Sequence, residues 1–254
     1  MPISSIEPVL FGDPPLHGIY CPAVGEPRAS ALIVSPLFEE KRCAHRALIT
    51  CARALAGAGI AVLLPDLYAT GNSAGTPMEI NLDRWMCDLH TAVRWLRERA
   101  EVPPVILACR AGALLAAQAV ADGLPAARLI LWQPVLSGRG YLGQLHTRRM
   151  VQEKMTGEEP VEVGKYEVEG MELSPELYAS LESLRLPSTP PTPDTRLLQC
   201  SFSEKLLTEY ERLVSQWGAD QVRARCVIAE PFWNPHTPGA YAALTTALTE
   251  EVLS

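Results

Sequence analysis

Short runs of apolar residues recur along the chain, and between them apolar positions repeat with the spacing of a helix. The continuous runs predict buried strands at Ala31–Ser35, Ile60–Leu64, Val105–Cys109, Arg128–Trp132, Arg196–Cys200 and Ala224–Ala229. Runs of this length without polar alternation are typical of a parallel sheet that is covered on both faces. Two N-terminal runs, Val9–Phe11 and His17–Cys21, lie among turn residues and predict an antiparallel edge.

Helical stripes fill the intervals between these strands. One stripe comprises Trp85, Leu89, Ala92, Val93 and Leu96, and an earlier one comprises Ala47, Leu48, Cys51 and Leu55. Apolar residues three and four apart mark the face of a helix that packs on the core. The alternation of strand and helix predicts an α/β fold with a mostly parallel sheet flanked by helices.

One stretch interrupts the alternation after the strand that ends near Trp132. Residues 138–193 carry many charges, few strand signals and a proline-rich run at 187–193. A connection this long is rarely structureless inside a compact domain. We therefore predict an inserted cap with helices at Tyr141–Lys154 and Pro175–Leu184 and an extended piece at Val161–Val168. The core would comprise residues 1–137 and 194–254. The cap, together with the stiff proline-rich segment that returns to the sheet, would comprise residues 138–193.

Composition excludes several classes of partner. The formal net charge of −7 argues against binding to nucleic acid or to anionic membrane surfaces. No basic N-terminal signal and no apolar stretch of transmembrane length is present, which predicts a cytoplasmic protein without a membrane span. The seven cysteines form no C-x-x-C pair, as expected of reduced thiols. We predict neither a metal nor a cofactor, since no ligand spacing or nucleotide-binding motif is found, and the oligomeric state stays open.

The strand at 105–109 runs into a tight turn that opens an alanine-rich helix. A nucleophile elbow, G-x-S-x-G, needs small residues two before and two after the nucleophile, because strand and helix pass very close there. Ala108 and Gly112 fill these places, which puts Arg110 in the nucleophile position. Centring the motif on Cys109 would put the bulky Leu107 at a tight position, so the arginine register is favoured.

Further motifs indicate a family. The segment from Asp66 to Gly75 is similar to the D-x-x-G-x-G-x-S turn of many α/β-hydrolases, and Pro36–Lys41 stands where these enzymes keep their oxyanion loop. Together with the arginine elbow, Pro160–Val163 and Glu230–Trp233, these segments resemble the exosortase A system-associated hydrolase 2 proteins. The resemblance implies an α/β-hydrolase fold and a place in bacterial exopolysaccharide and protein-sorting systems. It supplies no substrate.

Arg110 is open to two interpretations. Its guanidinium cannot be deprotonated to act as a nucleophile, but it could hold a carboxylate or phosphate in bidentate fashion. Backbone N–H groups at the start of the following helix would add to the positive electrostatic field of the guanidinium. Ala111 is therefore among the expected substrate-binding residues. Alternatively, Arg110 forms an internal ion pair with Glu39 or Glu40 in a site that has lost its activity.

The other candidates depend on Arg110. Glu40 could serve as a general base, with Glu39 beside it in the substrate site. The alternative is that one of the two pairs with Arg110 and the other with Lys41, Arg42 or solvent. Cys109 is a candidate thiol nucleophile, although strand alternation predicts that it points into the core.

The remaining candidates lie near the ends of later strands. His236 follows the last strand, from which a catalytic histidine would come, although it stands some residues late. Phe38, Trp132 and Trp233 are predicted to form apolar walls around one fixed charge. At the position of the catalytic acid we find Glu204, and Ser203 could instead cap a helix. Asp66 is expected to stabilise its turn.

Two classes of function follow. The chain is either a divergent hydrolase that acts on a small anionic or acyl substrate, or a non-catalytic protein of the same fold that binds a ligand or partner. A cysteine hydrolase that uses Cys109 is a third, weaker alternative. The arginine at the elbow favours the second class, and the resemblance favours the first.

Overall fold

Eight strands form one sheet in the computed structural model, which describes residues 5–156, 164–234 and 241–254. In chain order its strands are β1 (Glu7–Phe11), β2 (Leu16–Cys21), β3 (Ala29–Val34), β4 (Ile60–Pro65), β5 (Val105–Cys109), β6 (Arg128–Trp132), β9 (Thr195–Ser201) and β10 (Val222–Ile228). Their spatial order is β1-β2-β4-β3-β5-β6-β9-β10. The first two pairings, β1 with β2 and β2 with β4, are antiparallel, and the pairings from β4 to β10 are parallel. The predicted parallel sheet with an antiparallel N-terminal edge is therefore confirmed.

Helices cover both faces of the sheet. They are α1 (Phe38–Gly57), α2 (Leu82–Ala100), α3 (Gly112–Ala121), α6 (Thr208–Trp217) and α7 (Ala242–Leu253). The buried side chains form two clusters, one between the sheet and α1 and α7, the other between the sheet and α2, α3 and α6. Strand alternation divides β5 accordingly: Leu107 and Cys109 join the first cluster, and Ile106 and Ala108 the second. Burial on both faces explains why the strands are continuous apolar runs.

The inserted segment lies between β6 and β9, where the sequence predicts the cap. It contains α4 (Gly138–Thr156), a short antiparallel hairpin of β7 (Glu167–Val168) and β8 (Met171–Glu172), and α5 (Pro175–Ser183). Both predicted helices are present, and α4 begins three residues earlier than expected. Of the predicted extended piece, residues 161–163 lie outside the described part of the chain, and only Glu167 and Val168 are strand.

Two smaller expectations have different outcomes. Ser203 does not cap a helix, because α6 begins at Thr208 and the Ser203 hydroxyl accepts the N–H of Lys205 in a turn. Asp66 stabilises its turn as predicted, since its carboxylate accepts the N–H of Asn72 at 3.0 Å. In the part of the chain that the structure describes, no helix has the length and apolar character needed to cross a membrane.

Candidate functional site

Arg110 occupies the sharp turn between β5 and α3. Its φ is +52°, a strained conformation for a residue with a side chain, and its N–H donates to the carbonyl of Trp132 at 3.1 Å. Two residues later, a Cβ added to Gly112 would lie 2.2 Å from the carbonyl oxygen of Ser35. This close approach requires glycine at that position. The strand–helix crossing is therefore as close as the predicted elbow requires, and the assignment of Arg110 to the nucleophile position stays a prediction.

The guanidinium of Arg110 forms a bidentate ion pair with Glu40. Its Nε donates to Oε2 at 3.1 Å and its Nη2 to Oε1 at 3.0 Å. The Arg110 side chain is 9% exposed and that of Glu40 is fully buried. Burial alone would lower the pKa of Arg110, but the Glu40 carboxylate outweighs this and raises it. The ion pair that the sequence predicts between Arg110 and Glu39 or Glu40 is present, and its partner is Glu40.

The ion pair continues into the cap. Nη2 of Arg110 also donates to Oε1 of Gln144 on α4, at 3.3 Å, and Nη2 of Arg148 donates to Glu40 at 2.8 Å. Nη1 of Arg148 lies 3.4 Å from Oε1 of Glu169, a residue in the turn of the hairpin. Two arginines and two carboxylates thus alternate from the elbow to the cap, and their charges balance.

The surroundings of Glu39 and Cys109 match the structural alternatives stated for them: an ion pair for Glu39 and a buried thiol for Cys109. The Glu39 carboxylate pairs with Arg42 on the exposed side of α1, and this contact lowers its pKa. The Cys109 thiol is fully buried, and burial raises its pKa well above the usual value despite the neighbouring Arg110. A protonated, inaccessible thiol is a poor nucleophile, which weighs against a cysteine hydrolase.

A cavity of about 280 Å³ borders the loop after β3, the loop after β4, the N-terminal end of α2 and the cap hairpin. Its described wall is largely apolar and includes Val34, Pro36, Leu37, Phe38, Pro65, Leu67, Ala69, Ile80, Trp85, Val168 and Met171. The charged residues on the wall are Glu39, Lys41, Arg42 and Glu169, and each of them has an ionic partner. An apolar cavity with a few polar groups is typical of small-molecule sites.

Of the residues predicted to form the walls of a binding site, only some line this cavity. Phe38 lines the cavity, but Ala111, Trp132 and Trp233 are absent from its described lining. Trp132 points to the α7 side of the sheet, where its ring lies 4.7 Å from that of Phe232. The Trp233 ring instead faces the guanidinium of Arg110 at 5.0 Å, a cation–π contact. The described lining of this cavity therefore lacks Ala111, Trp132 and Trp233, and their substrate-binding roles stay predictions.

Arg110 and Glu40 are also absent from the described lining of the cavity, although Glu39, next in the chain, belongs to it. The reason is the side chain of Glu40, which turns from α1 toward the elbow and is buried there with Arg110. The predicted catalytic roles of Arg110 and Glu40 stay predictions. His236, the third predicted catalytic residue, lies outside the described residues, and so does the Pro160–Val163 motif.

A second polar cluster lies beside the cavity around Asp66. Its carboxylate contacts Nζ of Lys41 at 2.6 Å and Nδ1 of His17 at 3.1 Å, and Lys41 also donates to Thr70. Burial alone would raise the pKa of Asp66, but Lys41 and the hydrogen bonds from Asn72 and His17 lower it below the usual value. No local signal associates His17 with this turn, because its partner lies 49 residues away in the chain.

The cap residues Gln144, Arg148 and Glu169 were also missed. Each is a polar residue in a charge-rich segment, where exposed side chains are expected and no motif marks a contact. Their partners lie 34, 108 and 130 residues away, respectively, at Arg110, Glu40 and the backbone of Glu39. Among the described residues, no group of three or more His, Cys, Asp or Glu is arranged to hold a metal ion.

Comparisons with known proteins agree on the fold. No protein-family model and no curated protein matches the chain. Among solved structures, Est1E from Butyrivibrio proteoclasticus with bound ferulic acid has a TM-score of 0.65 at 14% identity, covering 96% of each chain. An esterase from Pyrococcus furiosus has a TM-score of 0.62 at 15% identity, covering 99% of this chain and 92% of its own.

A third similar structure is an α/β serine hydrolase without a lid from Xanthomonas campestris. Its TM-score is 0.60 at 16% identity, covering 98% of this chain and 94% of its own. At such identities the likeness concerns the fold and not the chemistry. The sheet order, the elbow and these neighbours together show that the chain has the α/β-hydrolase fold.

Proposed function

We propose that the chain binds an acyl chain, or a small molecule of similar apolar character, and does not hydrolyse it by serine chemistry. The buried ion pair of Arg110 and Glu40 carries the proposal. The nucleophile position holds a guanidinium, which cannot be deprotonated to attack a carbonyl. The carboxylate that faces it would repel the oxyanion that develops in acyl transfer.

The cavity supplies the place for the ligand. Its wall is mainly aliphatic and aromatic, and its described lining contains neither Arg110 nor Glu40. Since its charged residues are paired, the cavity favours an apolar body over a strongly charged one. The resemblance to exosortase-associated proteins favours an exopolysaccharide or lipid precursor as the source of such a ligand.

Hydrolysis is the second candidate, and the fold likeness to an esterase and to a serine hydrolase favours it. We expect no labelling by a fluorophosphonate probe and no turnover of p-nitrophenyl esters above background, because a serine nucleophile is missing from the elbow. A serine esterase of the same fold serves as the positive control. Turnover that survives further purification and falls in Arg110→Gln would contradict the proposal and make Arg110 part of a working site.

The class of ligand can be tested by thermal stability. We expect decanoic acid and methyl decanoate to raise Tm by similar amounts, because Lys41 and Arg42 already have carboxylate partners. At a hundredfold excess over Kd, a single-site ligand stabilises the folded state by about 2.7 kcal/mol. Leu67→Arg, which adds a charge to the cavity wall, should abolish the shift.

The same measurements distinguish acyl binding from the alternative in which Arg110 holds a carboxylate or phosphate. If the carboxylate shifts Tm much more than the ester, and this difference is lost in Arg110→Gln, then Arg110 holds anions and the acyl-binding proposal is wrong. If neither compound shifts Tm at any concentration, the cavity does not bind acyl chains.

A further inference from the structure

Ser35 differs from the other charged or hydroxyl-bearing residues on the described cavity wall. These others, each of which has an ion-pair or hydrogen-bond partner, are Glu39, Lys41, Arg42, Thr70 and Glu169. The Ser35 side chain makes no hydrogen bond within the described part of the chain. Its hydroxyl oxygen is accessible, since among the described residues the buried side-chain oxygen without a partner belongs to Glu230. The partly exposed Ser35 therefore offers a hydroxyl to the cavity that it borders.

The backbone on both sides of Ser35 is fixed. Ser35 directly follows β3, whose last residue, Val34, pairs with Ala108 of β5. Its carbonyl oxygen lies so close to α3 that a Cβ added to Gly112 would be 2.2 Å from it. Pro36 follows, and a proline restricts the residue before it to extended backbone. Ser35 is therefore held in a set position on the cavity wall, as a binding residue requires.

The hydroxyl of Thr70, on the same wall, shows what Ser35 lacks. It donates to the carbonyl of Leu67 at 2.8 Å and accepts from Nζ of Lys41 at 2.9 Å, so the fold itself uses both of its capacities. At Ser35 the described fold uses neither, although a polar group in mainly apolar surroundings loses free energy when it has no partner. A ligand atom in the cavity could supply that partner.

We propose that the Ser35 hydroxyl recognises the carbonyl oxygen of an acyl ester or amide, while the apolar part of the cavity wall takes the acyl chain. The inference rests on the proposed function and deepens it, because it names the polar group that the acyl-binding cavity selects. A serine hydroxyl donates well to a carbonyl, which is an uncharged acceptor. The carbonyl suits this wall because the charged residues on it already have ionic partners.

The test compares two uncharged ligands of similar length in two proteins. Methyl decanoate carries a carbonyl oxygen, and 1-chlorodecane carries a chlorine atom, which is a poor hydrogen-bond acceptor. Each ligand displaces methyl 10-bromodecanoate, whose bromine quenches the fluorescence of Trp85 on the cavity wall, and the displacement curve gives its Kd. The ratio of the two Kd values, compared between wild type and variant, isolates the interaction of Ser35 with the carbonyl.

We expect Ser35→Ala to weaken binding of methyl decanoate relative to 1-chlorodecane by about fivefold, the effect of one hydrogen bond between uncharged groups. Ser30→Ala is the matched control. Ser30 is buried at the opposite end of β3, and its hydroxyl donates to the carbonyl of Val102 at 3.4 Å, so this variant should keep the wild-type ratio. Urea unfolding should find Ser35→Ala as stable as the wild type, because no hydrogen bond within the described residues is lost.

The possible failures are distinguishable. If both ligands bind and their Kd ratio is the same in Ser35→Ala and the wild type, Ser35 does not recognise the carbonyl, and acyl binding still stands. An unchanged ratio together with a loss of stability would assign Ser35 a structural role and overturn the inference as well. If the bromo ester quenches no more than in Trp85→Phe, the cavity binds no acyl chain, and both the proposed function and the role of Ser35 are wrong.

Discussion

Replacing Arg110 by methionine is expected to lower the free energy of unfolding by about 3–5 kcal/mol, the cost of leaving a buried charge without its partner. Glu40 is fully buried, and among the described residues it would keep Arg148, whose side chain is 27% exposed, as its ionic partner. The backbone strain at the positive φ of position 110 is the same with methionine as with arginine, so it does not offset this loss. Equilibrium unfolding in urea measures the loss.

Two matched variants show whether the loss arises from the buried pair. The double variant Arg110→Met/Glu40→Met removes both charges, and most of the lost stability should return, because apolar residues of similar size often replace a buried ion pair without cost. Arg42→Ala breaks the exposed pair with Glu39 and should cost at most about 1 kcal/mol. A loss below about 1 kcal/mol in Arg110→Met would contradict the geometry of the elbow.

The ion pair also explains how the fold accommodates an arginine at the elbow. In a serine hydrolase this position needs a small hydroxyl with space in front of it for the substrate. Here the guanidinium of Arg110 lies 5.0 Å from the centre of the Trp233 ring. Glu40 then neutralises the charge, and Arg148 connects the pair to the cap. The Arg110–Glu40 pair therefore helps to attach α4 to the core through Gln144 and Arg148.

The sheet and the elbow could be predicted because their signals are local. A buried parallel strand is a continuous apolar run, and a close strand–helix crossing demands small residues at fixed offsets, as at Ala108 and Gly112. The pairing of Arg110 with one of two neighbouring glutamates followed from the fold, since the elbow and the loop after β3 adjoin.

The contacts of the inserted segment and the position of the cavity could not be predicted in this way. Arg148 and Glu169 lie in a polar segment, and nothing in their neighbourhood indicates that their partners are Glu40 and the Glu39 backbone. Trp132 ends a strand, which favours a place on the wall of a site, but its side chain lies in the core on the α7 side of the sheet. The direction of a side chain at the end of a strand depends on register, which its position in the sequence does not reveal.

Gly112→Ala adds a single carbon atom at the elbow, and we expect it to lower the free energy of unfolding more than any other addition of one atom there. The new Cβ would lie 2.2 Å from the carbonyl oxygen of Ser35 and 2.9 Å from that of Val34, both backbone atoms at the end of β3. Neither atom can rotate aside as a side chain would, so β3 or α3 must shift. Overpacking usually costs about 1–3 kcal/mol, and a clash with backbone belongs at or above the upper end of that range.

The consequences of this substitution should extend to the cavity. Val34 and Ser35 lie on its wall, and Phe38 begins α1 three residues later, so a displaced β3 end would weaken binding of decanoate as well as folding. Gly143→Ala is the matched control: its added Cβ meets nothing within 4 Å in α4, and alanine should stabilise the helix by about 1 kcal/mol. Urea unfolding and the thermal shift with decanoic acid measure both effects. If Gly112→Ala unfolds like the wild type, strand and helix do not cross as closely as described, and the assignment of Arg110 to the nucleophile position loses its main geometric support.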